Sequence, residues 1–282
     1  MTRALAAVLV FASCACIADA EALPNRSRRL TWPLTAAARS WENLLSWDID
    51  DVGAAGSVPP ECYFTAAAND LFSQDLDNFS WSFWYRADEN PPLSTHVLFE
   101  RGCTEADPEQ PAVGQQNLNG GTPGDGAAFF AWGSFSHYCR TDDGAFVNGS
   151  WQHLVFTYDG TQPGNDGKMD IYVDGVSQGL TCAGTVGSAL TNCTEDVNSK
   201  GIENMTGFMD EFSWYASTLS SANVTALYNA GTPVDPRTLG LSNMIAYWRM
   251  GDRDTSPTVV DVVNGLNLTL TGCTNFSTTV PP

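Results

Sequence analysis

Glu105, Asp107 and Glu109 are the first residues whose types and spacing suggest a reaction. On a β-strand side chains repeat with period 2, so three carboxylates spaced this way would share one face. Two of them could then serve as acid and nucleophile in one site. The context argues against it. Pro108 stands between them and cannot donate to a central ladder. Pro111 and the polar residues around it read as loop. No Gly-x-Ser-x-Gly, His-Glu-x-x-His, phosphate loop or dinucleotide fingerprint occurs. His96, His137 and His153 are the only histidines, and no Cys-x-x-Cys is present, so a His-based triad or a zinc site lacks material. The expected chemistry is binding rather than catalysis.

The elements that would position a binding site are strands. Residues 168–179 read KMDIYVDGVSQG. Met169, Ile171 and Val173 face one way, and Asp170, Tyr172 and Asp174 the other, which is the period of a half-buried strand. Asp174-Gly175 between two valines predicts a type I′ hairpin turn, because both central residues need positive φ. Trp151 to Tyr158 carries apolar or aromatic residues on both faces, so it should lie deep in the same sheet. Phe79 to Tyr85, His96 to Arg101, Ala127 to Tyr138, Gly207 to Tyr215, Met244 to Met250 and Leu266 to Cys273 also read as strands. Thr104 to Asp125 and Thr181 to Glu203 read as long polar loops. Leu219 to Gly231 predicts a helix. Ser220 caps it, Leu219 and Val224 form a hydrophobic staple, Val224, Leu227 and Tyr228 form its buried face, and Gly231 ends it. Leu34 to Trp47 shows a weak helical pattern, and Trp41 and Trp47 suggest that it docks on the main domain.

Several of these segments resemble one family. A Trp-led strand ending in Tyr158-Asp159-Gly160, then a strand ending in Tyr172-Val173-Asp174-Gly175, is similar to the laminin-G-like jelly rolls of the concanavalin A-like lectin/glucanase superfamily. Gly207-Phe208-Met209-Asp210-Glu211-Phe212-Ser213-Trp214-Tyr215 resembles that family's late strand, Phe79 to Tyr85 its early core strand, and Tyr247-Trp248-Arg249-Met250-Gly251-Asp252 a recurrent tail. The resemblance spans roughly Glu61 to Phe276. It implies an all-β fold: a two-sheet antiparallel jelly-roll sandwich with one short helix near 220–230. The expected divisions are 1–20, 21–60, a sandwich over 61–276, and a tail over 277–282. The fold by itself carries many unrelated activities.

The ends of the chain and its cysteines place it in a compartment. Arg3, an apolar run from Ala4 to Ile17 and Ala18-Asp19-Ala20 read as a signal peptide cleaved after Ala20. Arg26-Ser27-Arg28-Arg29 reads as a linker or, with cleavage after Arg29, a pro-segment. No second apolar stretch follows, so neither a membrane span nor a lipid anchor is expected. Past the signal, Cys62, Cys103, Cys139, Cys182, Cys193 and Cys273 form an even set that suits disulfides and permits fifteen pairings. The resemblance implies Cys62–Cys273, because first and last strands are neighbours in these folds, and Cys182–Cys193 as a local loop, leaving Cys103–Cys139. Glycosylation triplets start at Asn78, Asn148, Asn204, Asn223, Asn267 and Asn275, with further ones at Asn25 and Asn192. A formal net charge of −19 argues against nucleic acid and anionic membranes.

The resemblance also supplies site expectations. Glycosidases of this superfamily use the Glu-x-Asp-x-Glu spacing that Glu105 to Glu109 shows. Asp210 falls where several such modules bind one structural Ca²⁺ together with backbone carbonyls near the N-terminal strand, and calcium takes six to eight oxygens. The ligand surface would be a concave sheet and its rim loops, with Trp132, Tyr138 and Trp214 as stacking platforms. The expected function is a secreted, non-catalytic binding module for carbohydrate or glycoprotein outside the cell. The alternative is a structural or adhesion protein of a cell surface, wall or virion without a sugar site. A glycoside-active enzyme ranks third.

Overall fold

The computed structural model describes residues 41–49, 63–66, 76–88, 95–100, 111–116, 126–132, 137–187, 197–198 and 207–282. Its strands begin with β1 (Ser46–Asp48), β2 (Tyr63–Ala66), β3 (Asn78–Ala87), β4 (Thr95–Glu100), β5 (Pro111–Gln116), β6 (Ala127–Trp132), β7 (His137–Arg140) and β8 (Gln152–Asp159). They continue with β9 (Met169–Val173), β10 (Val176–Ser177), β11 (Thr181–Ala183), β12 (Val197–Asn198), β13 (Gly207–Tyr215), β14 (Met244–Trp248), β15 (Thr258–Val259), β16 (Leu268–Thr271) and β17 (Phe276–Ser277). One helical turn, α1 (Asn165–Lys168), precedes β9, and the helix α2 (Ser221–Tyr228) follows β13. All the pairings are antiparallel. An eight-stranded sheet runs β10-β9-β8-β3-β13-β1-β17, with β14 also on β13. A nine-stranded sheet runs β11-β7-β6-β5-β4-β12-β2-β16-β15.

The alternation sorts side chains between layers. Along β3, Phe79, Trp81, Phe83 and Tyr85 enter the core shared with the second sheet. Trp81 meets Phe99 of β4 edge-on at 4.5 Å, Phe99 meets Phe212 of β13 at 4.8 Å, and Trp132 of β6 stacks on Tyr158 of β8 at 4.6 Å. Such offset and edge contacts add to the area burial that drives the sandwich together. On the other face of the eight-stranded sheet, Val155, Tyr172 and Tyr215 pack with Leu219, Val224 and Leu227 around α2. That second layer explains why Trp84 of β3 and Val155 of β8 are buried on the face turned away from the core. Ser220 Oγ accepts from Asn223 N–H at 3.3 Å, as a cap should. The helix ends earlier than Gly231, at Asn229 with φ 47°. The Asp174-Gly175 turn has the required positive φ at both residues (50° and 79°), and Val176 pairs with Val173.

Several expectations are corrected. The proposed loop over 104–125 contains β5, which pairs with β4 and β6. Pro111 is tolerated because it opens the strand. The proposed loop over 181–203 contains β11 and β12. Residues 41–49 are extended rather than helical, and β1 pairs with both β13 and β17. The sandwich therefore reaches beyond 61–276 at both ends: Trp41–Pro282 form one compact unit, and Ser46 Oγ donates to Thr279 O at 2.6 Å. Residues 1–40, with the signal and Arg29, lie outside the described residues.

The disulfides are also revised. Cys139 and Cys182 are paired positions on β7 and β11, with Cα atoms 4.0 Å apart, and are bonded. Cys103–Cys139 and Cys182–Cys193 are thereby excluded. The error follows from missing β11, which carries Cys182 into a ladder instead of a loop. Cys273 is disulfide-bonded; Cys62, Cys103 and Cys193 lie outside the described residues. The Cys139–Cys182 bond spans 43 residues, which corresponds to about 4 kcal/mol of chain entropy removed from the unfolded state. A Cys139→Ser, Cys182→Ser double variant should lose stability of that order in urea unfolding, with a lower midpoint and little change in native circular dichroism.

Candidate functional site

Strand β13 pairs with β3 along one edge, while its other edge is divided. Phe208 and Met209 pair with β1, and Phe212 to Tyr215 pair with β14. Asp210 and Glu211 fall at the changeover. The register against β3 shifts between Asp210 and Ser213, and Glu211 has φ 51°. This is a bulge, which re-aims side chains beside a break in pairing. Both acids are nonetheless buried, Asp210 fully.

The N-terminal strap and the turn after β14 close over them. Asp252 accepts the N–H groups of Leu44 and Leu45, each at 3.1 Å from Oδ1. Arg249 Nη2 donates to both the Glu42 carbonyl and Asp252 Oδ2. Its guanidinium lies 5.3 Å over the Trp41 ring, and its Nε lies 3.6 Å from Glu211 Oε1. Tyr247 donates to Glu211 Oε2 and accepts from Trp41 Nε1 at 3.3 Å. Gly251, with φ 145°, lets Leu45 approach; a Cβ there would sit 2.8 Å from Leu45 Cβ.

Charge is out of balance here. Asp210, Glu211 and Asp252 share one buried guanidinium among the described residues. Burial pushes Glu211 up to about 8, although Tyr247 and Arg249 pull it down. Burial and the neighbouring Glu211 hold Asp210 well above the usual carboxylate range. Burial raises Asp252 against the pull of Arg249 and the two strap amides. Such a cluster must take up protons or a cation. Asp210 Oδ2 and both polar atoms of the Asn43 amide are buried with no partner at hydrogen-bond geometry, yet the Asn43 side chain is near enough to Asp210 to lower its pKa against the effect of burial. The Asp210 and Asn43 oxygens suit a hard cation. Among the described residues no three Asp, Glu, His or Cys side chains converge as a metal cage, so backbone carbonyls would have to complete the shell.

The outer face of the nine-stranded sheet offers a different surface. Val97, Ala112, Phe129 and Ala131 form a buried apolar floor, and Tyr138 packs partly against it. Register places Tyr138 opposite Ala131 and Arg140 opposite Phe129. Both side chains are half-buried. The other two expected platforms are corrected: Trp132 is in the core on Tyr158, and Trp214 is buried edge-on against Trp81. Neither ring can receive a sugar. Glu105, Asp107 and Glu109 lie outside the described residues. The sequence reading singled out Asp210 and the tail segment that holds Arg249 and Asp252, while Asn43, which lies beside Asp210, carried no signal.

Glu211 yields a pH prediction. Its pKa rises from 4.5 to about 8 on folding, so between those values the folded chain binds more protons than the unfolded chain. Stability from this group therefore increases as pH falls from 8 toward 4.5, by up to about 1.4 kcal/mol per unit. In chelator, the melting temperature should be higher at pH 6 than at pH 8, and Glu211→Gln should narrow that gap by raising the pH 8 value. An unaltered gap would contradict the assignment.

Comparison with known proteins agrees with this architecture. Residues 62–225 match the model of a laminin-G family described as the concanavalin A-like lectin/glucanases superfamily. A Bacteroides ovatus protein, provisionally named as carbohydrate-binding, superposes with a TM-score of 0.55 at 17% identity. The match covers 80% of this chain and 62% of that one; this chain thus spans about three fifths of its length. The heptameric SAP-like pentraxin of Limulus polyphemus matches at 12% identity and TM-score 0.45, over 65% of this chain and 80% of that one. The binding domain of botulinum neurotoxin serotype G matches at 16% and 0.41, over 66% and 50%. No curated protein sequence matches. With more than half of its length matched by the family model and the sandwich in place, the chain belongs to the concanavalin A-like lectin/glucanases superfamily.

Proposed function

We propose that the chain is a secreted, non-catalytic module that binds carbohydrate, free or on a glycoprotein, outside the cell. The observation that carries the reading is Tyr138, a half-buried aromatic on the outer face of the nine-stranded sheet, with Arg140 two residues on and the apolar floor beneath. An aromatic face stacks on a sugar ring, and a guanidinium donates to hydroxyls or to an acidic sugar. The provisional name of the Bacteroides ovatus structure points the same way. The acceptors Asn78, Asn148, Asn223, Asn267 and Asn275 all lie outside β4 to β7 in sequence; Asn204 lies outside the described residues. The Cys139–Cys182 bond suits an oxidising compartment. Among the described residues no helix is long and apolar enough to cross a membrane.

A glycan array probed with the secreted, deglycosylated protein tests this. Binding to a related set of sugars, reduced about tenfold or more by Tyr138→Ala, is the expected result. A blank array would replace this reading with a structural or adhesion module that contacts protein.

We also propose one structural Ca²⁺ held by Asp210 with Asn43 and backbone carbonyls. When bound, the ion supplies the positive charge that the cluster lacks. Calcium should raise the melting temperature relative to chelator, and Asp210→Ala should abolish the difference. Equal melting in calcium and chelator for the unmutated protein would overturn the assignment.

A further inference from the structure

His153 projects from β8 onto the outer face of the eight-stranded sheet, under the end of α2. Its side chain is buried. Nε2 lies 2.9 Å from Ser82 Oγ, and Nδ1 is buried without a partner. Trp84 flanks the ring at 5.1 Å between centroids and Tyr228, the last residue of α2, stacks over it at 6.1 Å. We propose that His153 is an acid sensor for α2: its imidazole accepts a second proton only when the Tyr228 end of the helix lifts from the sheet.

The surroundings explain why the closed state refuses the charge. A protonated ring carries N–H on both nitrogens, and Ser82 can satisfy one of them. Among the described residues no carboxylate faces the ring. Asp174, from the β9–β10 turn, touches His153 only through the backbone, accepting its N–H at 2.9 Å. From β3 come Ser82 and Trp84, which are uncharged, and from α2 the Tyr228 phenol. Asp210 pairs with Trp84 on the far side of that strand. Burial alone accordingly lowers the His153 pKa from 6.5 to about 3.

The helix end is suited to move. α2 has eight residues, too few to be stable without packing. Its last turn rests on Leu227 and a half-buried Tyr228. The exit runs through two successive left-handed residues, Asn229 at φ 47° and Ala230 at φ 55°, and alanine has no local compensation for that conformation. Lifting the end wets His153 and exposes part of the apolar layer formed by Val155, Tyr172 and Leu227.

The sign follows from the two states. An open state with an ordinary imidazole binds the proton that the closed state rejects, so acid favours opening. Between pH 7.5 and pH 5 the opening equilibrium should shift about thirtyfold. Hydrogen exchange of the full chain measures it. Corrected for the intrinsic pH effect, protection of the Val224 to Tyr228 amides should fall about thirtyfold, while amides of β3 and β6 remain protected and His153→Gln removes the fall. No fall in the unmutated protein, a full fall in His153→Gln, or an equal loss of protection in β3 and β6 would overturn the proposal. Independently, the His153 ring should titrate below about pH 4, and Tyr228→Ala should move its midpoint toward 6.5. An unmoved midpoint with Tyr228 removed would also overturn it.

Discussion

Strand β13 has to satisfy two partners along one edge, and much of the molecule follows from how it does so. β1 takes Phe208 and Met209, β14 takes Phe212 onward, and the residues between them have no ladder on that side. A bulge absorbs the mismatch and puts Glu211 into a left-handed conformation. Asp210 and Glu211 are then carried below the surface, where an isolated carboxylate is costly. Arg249, the Tyr247 hydroxyl and the strap close the gap. The termini depend on this arrangement in turn. β17 pairs with β1, β1 is held beside the changeover, and the strap amides of Leu44 and Leu45 end on Asp252. A charge problem in the middle of one strand thereby anchors both ends of the sandwich.

The parts of the fold that were legible are those where one local signal dominates. Met169, Ile171 and Val173 alternate with polar neighbours because one face of β9 meets the core, and Asp174-Gly175 supplies the turn that its partner requires. The missed strands lacked such a signal. β5 opens on Pro111 and contains Gly114, so composition spoke for loop while pairing with β4 and β6 on both sides decided for strand. β11 and β12 have three and two residues, below the length at which alternation can be read. One of those short strands carried Cys182, and the disulfide pairing was lost with it.

The site was legible only in fragments. Asp210 stood out by its place in the late strand, but Glu42 and Arg249 are 207 residues apart in sequence, and no pattern along the chain links them. Trp132 and Trp214 misled for another reason. Where a sheet is covered on both sides, aromatics occupy both faces, and period 2 does not say which face is the interior. Trp81 and Trp84, three residues apart on β3, are both buried on opposite faces of the same sheet.

The covering of the eight-stranded sheet also directs attention to its partner. Its outer face is taken up by α2 over β8, β9 and β13 and by the strap beside β13. The ionisable groups trapped there are spent on the fold: His153 is kept neutral, and the acids around Asp210 are held above their ordinary range by burial. Tyr138 and Arg140 are half-buried on β7, on the far side of the nine-stranded sheet, and β7 is tied to the edge strand β11 by the Cys139–Cys182 bond. A bond at that position holds the strand carrying both side chains in fixed register, which would lower the ordering cost of the binding proposed for them.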